Sequence, residues 1–145
     1  MTKEQLLNRA IQIADIAHAG QTDRYGAPYI GHVMRVMNYG KTLDEKIVGV
    51  LHDVVEDCPE WTFQKLSQEG FGCYIHALNC LTKREGEQYP DFVARTETSP
   101  LAIAVKLNDL RDNMDLRRCN RELTEKDLKR FNKYLRAYHY LIRKY

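Results

Sequence analysis

Long apolar runs are missing from this chain. The longest uninterrupted stretches, Ile47–Leu51 and Leu101–Val105, reach about five residues, whereas a bilayer-spanning helix needs roughly twenty. Paired cysteine motifs are missing too. Cys58, Cys73, Cys80 and Cys119 form no C-x-x-C unit and keep no regular spacing, which argues against a zinc ribbon or a disulfide framework and for free thiols in a reducing compartment. No segment alternates apolar and polar residues with a period of two, so a sheet has no sequence support. Repeats and low-complexity linkers are absent as well. The opening Met1-Thr2-Lys3-Glu4 runs into an amphipathic, partly acidic pattern, unlike a secretory signal or an Arg-rich transit peptide. A cytoplasmic location is therefore expected. A net charge of only +2 gives the molecule as a whole no strong attraction to nucleic acid.

What is present reads as helix. The 145 residues suffice for one domain with a buried core. Thr2-x-x-Gln5 has the form of a capping box, and Leu6, Ala10, Ile13, Ala14 and Ala17 follow at helical spacing. Gly20–Pro28 reads as a loop, and a short helix follows over His32–Tyr39 up to Gly40. Thr42-x-x-Glu45 opens a helix expected to continue through Val55 towards Pro59. Short helices are expected over Thr62–Glu69, Gly72–Leu81 and Tyr89–Arg95. Ser99-Pro100 then starts a longer one through Met114. Thr124-x-x-Asp127 begins a basic C-terminal helix of about 124–143, with Phe131, Leu135, Tyr138, Leu141 and Ile142 as its apolar members. The expected architecture is all-α, a single domain over residues 1–145 with about six to eight helices.

Three segments carry chemistry. In Leu51-His52-Asp53-Val54-Val55-Glu56-Asp57 a His-Asp pair sits in an apolar helix, where burying it without a partner is costly. A divalent cation is such a partner, because imidazole nitrogen and carboxylate oxygen both ligate metals. Helical spacing sets Glu56 one turn beyond His52 and Asp57 one turn beyond Asp53. In Lys106-Leu107-Asn108-Asp109-Leu110-Arg111-Asp112-Asn113 another apolar helix ends in acidic groups, which the helix dipole disfavours there unless a cation compensates. Asp109 can offer an oxygen ligand and Asn113 a hydrogen bond to a substrate. In Gly26-Ala27-Pro28-Tyr29-Ile30-Gly31-His32 a histidine follows a Gly/Pro loop whose fixed backbone can aim it inward.

Together with Ala17-His18-Ala19-Gly20-Gln21, these segments resemble the hydrolase domain of RelA/SpoT-type proteins. The resemblance runs over about residues 3–116, with its motifs within 17–114, in the family's order and at near-family spacing. It implies an HD-type helical domain in which His32, His52, Asp53 and Asp109 ligate one divalent ion, usually manganese. It also implies catalytic roles for Glu56 and Asp57, and a position near the sugar for Asn113. The implied reaction removes the 3′-pyrophosphate of guanosine tetra- or pentaphosphate.

Two departures touch the substrate side, one of them Asp115 after Asn113-Met114, where the family often has an arginine. The loop Thr22-Asp23-Arg24-Tyr25-Gly26 carries Asp23 where such hydrolases tend to have consecutive basic residues. Arg24 and Arg111 are the candidates for phosphate binding, and Tyr25 for stacking on a base. Lys106 reads as a lysine that snorkels from an apolar helix. A small-molecule nucleotide is the expected substrate, and an oligomer stays open. Two alternatives remain: an HD phosphohydrolase for another nucleotide, or a non-catalytic metal-binding signalling module. Between Arg121 and Tyr145 eight basic residues face three acidic ones. Surface helices are often basic, and this surplus is not taken as a nucleic-acid site.

Overall fold

The computed structural model describes all 145 residues. Its α-helices are α1 (Lys3–Ala17), α2 (Ile30–Tyr39), α3 (Leu43–Leu51), α4 (Val54–Asp57), α5 (Phe63–Leu66), α6 (Ile75–Cys80), α7 (Tyr89–Thr96), α8 (Pro100–Asn113) and α9 (Glu125–Lys144). Seven of them have six residues or more, in keeping with the expected all-α fold. The only β pairing is an isolated bridge between Thr22 and Pro28 that closes the loop before α2.

The start signals act as the residue types dictate. Thr2, Thr42 and Thr124 each form a reciprocal capping box, with Gln5, Glu45 and Asp127 respectively, and the Ser99 hydroxyl caps α8. Each cap satisfies amide groups that a helix start leaves without partners.

The main core gathers Ile13 and Ala14 of α1, Val33 and Val36 of α2, Ile47, Val50 and Leu51 of α3, and Ala102 and Val105 of α8. Fully burying one of the valine, leucine or isoleucine side chains among these contributes about 1.5–3 kcal/mol. A smaller cluster, Val93, Leu110, Ala137 and Leu141, forms where α7, α8 and α9 meet. Helix α8 thus belongs to both, and the face between them carries its polar residues. Gly49 allows a close helix approach: a Cβ there would lie 3.3 Å from the Met37 Cα and backbone nitrogen. That proximity brings the end of α3 alongside α2.

Three local expectations are corrected. The helix starting at Thr42 does not run unbroken to Pro59, because it stops at Leu51 and resumes at Val54. The break lets the consecutive side chains of His52 and Asp53 face one point, which the ~100° step of a regular helix opposes. The segment after Thr62 is one short α turn followed by a wide turn over Ser67–Phe71, because Gly70 takes φ +104°. On α9 the buried side chains are Asp127, Phe131, Ala137 and Leu141, while Leu135 and Ile142 face solvent. The core-facing stripe is set by the fit against α7 and α8, and apolar character alone did not reveal its register.

Candidate metal centre and pocket

Three places in the fold supply the candidate ligands: the first turn of α2 (His32), the break between α3 and α4 (His52 and Asp53) and the last turns of α8 (Asp109). All four residues are buried. His32 Nε2 lies 3.0 Å from Asp109 Oδ1 and 3.6 Å from Asp53 Oδ2. His52 Nε2 lies 3.1 Å from Asp53 Oδ2 and 3.3 Å from Asp109 Oδ1. One donor atom each from His32, His52 and Asp109 falls within 4.8 Å of the others.

Hydrogen bonds on the far side of each ring decide which nitrogen faces the cluster. The Nδ1 of His32 is 2.7 Å from Asp112 Oδ2, and the Nδ1 of His52 is 2.6 Å from the Gly49 carbonyl oxygen. Both acceptors require Nδ1 to carry the proton, so a neutral ring turns the lone pair of Nε2 inward. Two lone pairs then meet two carboxylates, and the buried Nε2 of a neutral His52 finds no donor to accept from. Such a cluster demands positive charge, as a proton or as a metal.

The titration behaviour states the same demand. Burial alone would push His32 down, yet its hydrogen bonds to Asp109 and Asp112 outweigh that and raise it to about 9. Burial opposes ionisation of Asp53, but the His52 and His32 rings hold it below the usual carboxylate range. Two imidazole nitrogens and the Asp109 carboxylate form a donor set suited to divalent transition ions, with Asp53 Oδ2 beside the His52 ring, and the residues therefore fit such a group.

A supporting layer fixes these groups. Asp112 is fully buried and also binds Arg35 Nε at 2.7 Å and Arg118 Nη2 at 3.2 Å. Lys106 is buried as well, and its Nζ donates to Asp109 Oδ2 at 3.1 Å. The Asn113 amide donates to Asp109 Oδ1 at 3.0 Å. The Tyr29 hydroxyl donates to Asp53 Oδ2 at 2.6 Å. Carboxylate–histidine pairs and tethered carboxylates of this kind orient ligands in metal sites.

A cavity of about 470 Å³ opens over the centre. Arg24, Tyr25 and Asn113 line it, as do Glu56, Lys83, Arg130, Lys133 and Tyr134. Glu56 is exposed on the wall, and its Oε1 accepts from the Lys83 amide at 2.8 Å. Desolvation raises Glu56, and the Lys83 hydrogen bond works against the rise. Asp57 lies beside the pocket rather than in its lining. Desolvation, followed by the Asp53 and Glu56 carboxylates, pushes it up to about 7.

Not every expected group arrives. Arg111 points away from the cavity, with its guanidinium 3.9 Å from the centre of the Tyr39 ring. Two residues from Asp109, it necessarily lies on another helix face, so the expectation of a phosphate contact there is corrected. Lys106 does not snorkel, since an ion pair with Asp109 replaces its hydration. Asp23 also finds a structural use: its Oδ1 accepts from the Tyr25 and Ala27 amides at 2.9 and 3.0 Å and shapes the loop that carries Arg24.

Sequence reasoning missed Asp112, Arg35, Tyr29 and the α9 cations. The i,i+3 pairs Asp109/Asp112 and His32/Arg35 share helix faces, a signal that could have found the first two. Arg130 and Lys133 lie beyond the recognised motifs, and only the packing of α9 on α8 brings them over the centre.

No family model matches the chain. By sequence it is similar to a GTP pyrophosphokinase of Streptomyces coelicolor, 31% identical over 136 residues, covering 83% of this chain and 16% of that protein. It is also similar to the guanosine-3′,5′-bis(diphosphate) 3′-pyrophosphohydrolase of Aquifex aeolicus, 28% identical over 121 residues, covering 74% of this chain and 17% of that protein. The chain thus spans about one-sixth of the length of these relatives. Its fold is similar to that of a metazoan ortholog of SpoT described as hydrolysing ppGpp. That likeness has a TM-score of 0.80 at 20% identity and covers 95% of this chain and 85% of the other.

Proposed function

We propose that this chain, an HD-type domain resembling the hydrolase domain of RelA/SpoT-type proteins, is a metal-dependent phosphohydrolase. Its substrate on this reading is guanosine tetra- or pentaphosphate, which loses its 3′-pyrophosphate to leave GDP or GTP. The observation that carries the reading is the convergence of His32, His52, Asp53 and Asp109 at the floor of a cavity walled by cations. These four hold one divalent ion, manganese in keeping with the resemblance. When bound there, such an ion would supply charge to polarise a phosphoryl oxygen and to acidify a water at neutral pH.

The chain's own groups do the rest. Glu56, on the pocket wall, orients the attacking water, and Asp57, raised to about 7, is suited to take or return its proton near neutrality. Arg24, Lys83, Arg130 and Lys133 offset the charge of the phosphates. Tyr25 and Tyr134 offer faces for the base, and Asn113 a donor near the sugar. Asp112 and Gly49 keep both imidazoles turned with Nε2 inward.

A second reading, an HD phosphohydrolase of another nucleotide, rests on Asp23. Its acidic side chain lines the cavity where the alarmone hydrolases tend to have base-binding cations. The discriminating experiment supplies manganese, with chelator as control, and follows products from guanosine tetraphosphate, phosphorylated dinucleotides and common nucleotides. Pyrophosphate released from the tetraphosphate supports the first reading. Orthophosphate from another nucleotide, with the tetraphosphate untouched, supports the second. Tight metal binding without turnover of any substrate overturns both in favour of a binding module.

A further inference from the structure

The outer face of α9 carries side chains that neither the core nor the cavity uses. Leu128, Leu135 and Ile142 stand seven residues apart and are 49%, 43% and 45% exposed. Asn132 and His139, also exposed, fall between them, so the five positions follow the four-then-three spacing of a coiled-coil seam, apolar at one heptad position and polar at the other. One apolar stripe is enough to dock a surface helix, and α9 already buries Phe131, Ala137 and Leu141. Single exposed apolar residues need no explanation, but three in register along one helix face do.

Lys129, Arg136 and Arg143 border this seam, each one residue after an apolar member. The ion pairs of α9 involve Arg130 and Lys144, and these three cations take part in none. The carboxylates of α9, Glu125 and Asp127, both sit in the first turn. Asp127 is buried against Arg121 and Arg130.

We propose that this face is a docking surface for an acidic amphipathic helix of another protein. Its apolar seam covers Leu128, Leu135 and Ile142, and its Glu or Asp side chains meet Lys129, Arg136 and Arg143. Charge complementarity selects this occupant over a second copy of the chain. Two copies laid antiparallel would set cation row against cation row with only Glu125 to offset it. A parallel pair would set the cations opposite Phe131 and Tyr138, which already pack within their own chain. Nucleic acid would meet the cations yet leave the apolar seam uncovered. The inference does not depend on the reaction in the cavity.

The test uses the full chain and two designed peptides of about three heptads. They share a Leu/Ile seam; one is flanked by Glu and the other by Lys. Fluorescence anisotropy should report binding of the Glu peptide alone. Leu135→Ser, and separately Arg136→Glu with Arg143→Glu, should each weaken it about tenfold or more while circular dichroism stays unchanged. Failure of the Glu peptide to bind, or equal binding of both peptides, overturns the proposal. A concentration-dependent dimer that Leu135→Ser abolishes gives the face to a second copy instead. Binding of a short DNA duplex, lost with Arg136→Glu but indifferent to Leu135→Ser, gives it to nucleic acid.

Discussion

At the scale of single residues, the centre depends on groups that touch no substrate. Asp112 is the clearest, because its carboxylate accepts from His32 Nδ1 and so holds the tautomer that the proposed ligation would require. Asp112→Asn preserves size but can present its amide to the imidazole, and manganese affinity is expected to fall about 10- to 100-fold, measured by competition with a metal indicator. Glu56 makes the opposite case. It stands clear of the four donors, so Glu56→Gln should leave manganese affinity within about twofold while turnover drops roughly 10²- to 10⁴-fold. Unchanged turnover would remove Glu56 from the mechanism. On the proposed mechanism Asp57 sets the pH dependence. Its carboxyl is raised to about 7, so it holds a proton below that value and is a free base above it. Acting as the base, it makes kcat rise with pH through about 7 and level off beyond, and Asp57→Asn removes that limb. A rate that falls over the same interval assigns Asp57 the acid role.

At the scale of elements, the fit of α3 against α2 decides whether the two histidines meet. Gly49→Ala puts a Cβ against the Met37 backbone, which cannot rotate away as a side chain would. Overpacking of this kind costs about 1–3 kcal/mol, more than the ~1 kcal/mol gained by replacing a helical glycine. A lowered Tm together with weakened metal binding is the expected result. The elements also show why some of the site was legible before the fold and some was not. His52 and Asp53 stood out as a His-Asp pair in an apolar helix, but the full set with His32 and Asp109 came from the resemblance of several segments, in order and spacing, to the RelA/SpoT hydrolase domain. The capping threonines declared themselves through local geometry. Arg111 misled because its sequence proximity to Asp109 says nothing of the face it occupies. Arg130 and Lys133 were illegible because their meaning lies in how α9 crosses α8, a long-range packing with no local signature. Replacing both with Ala should raise KM about tenfold or more with a smaller effect on kcat, as expected for groups that bind phosphate before and during the reaction alike.

At the scale of the whole molecule, the ligands come from α2, the α3–α4 break and α8, so one ion would tie together segments some 77 residues apart in sequence, from His32 to Asp109. A ligand that binds only the folded chain stabilises it by about 2.7 kcal/mol at a hundredfold excess over Kd. At roughly 2–4 °C per kcal/mol for larger domains, manganese should raise Tm by about 5–10 °C, and chelator should reverse the rise. The most direct test is a manganese titration of the purified chain, with free ion followed by electron paramagnetic resonance. The account predicts one tight site per chain, weakened at least about a hundredfold by Asp53→Ala, a loss of one of four ligands. The absence of a stoichiometric site, or a site that Asp53→Ala leaves intact, would contradict it.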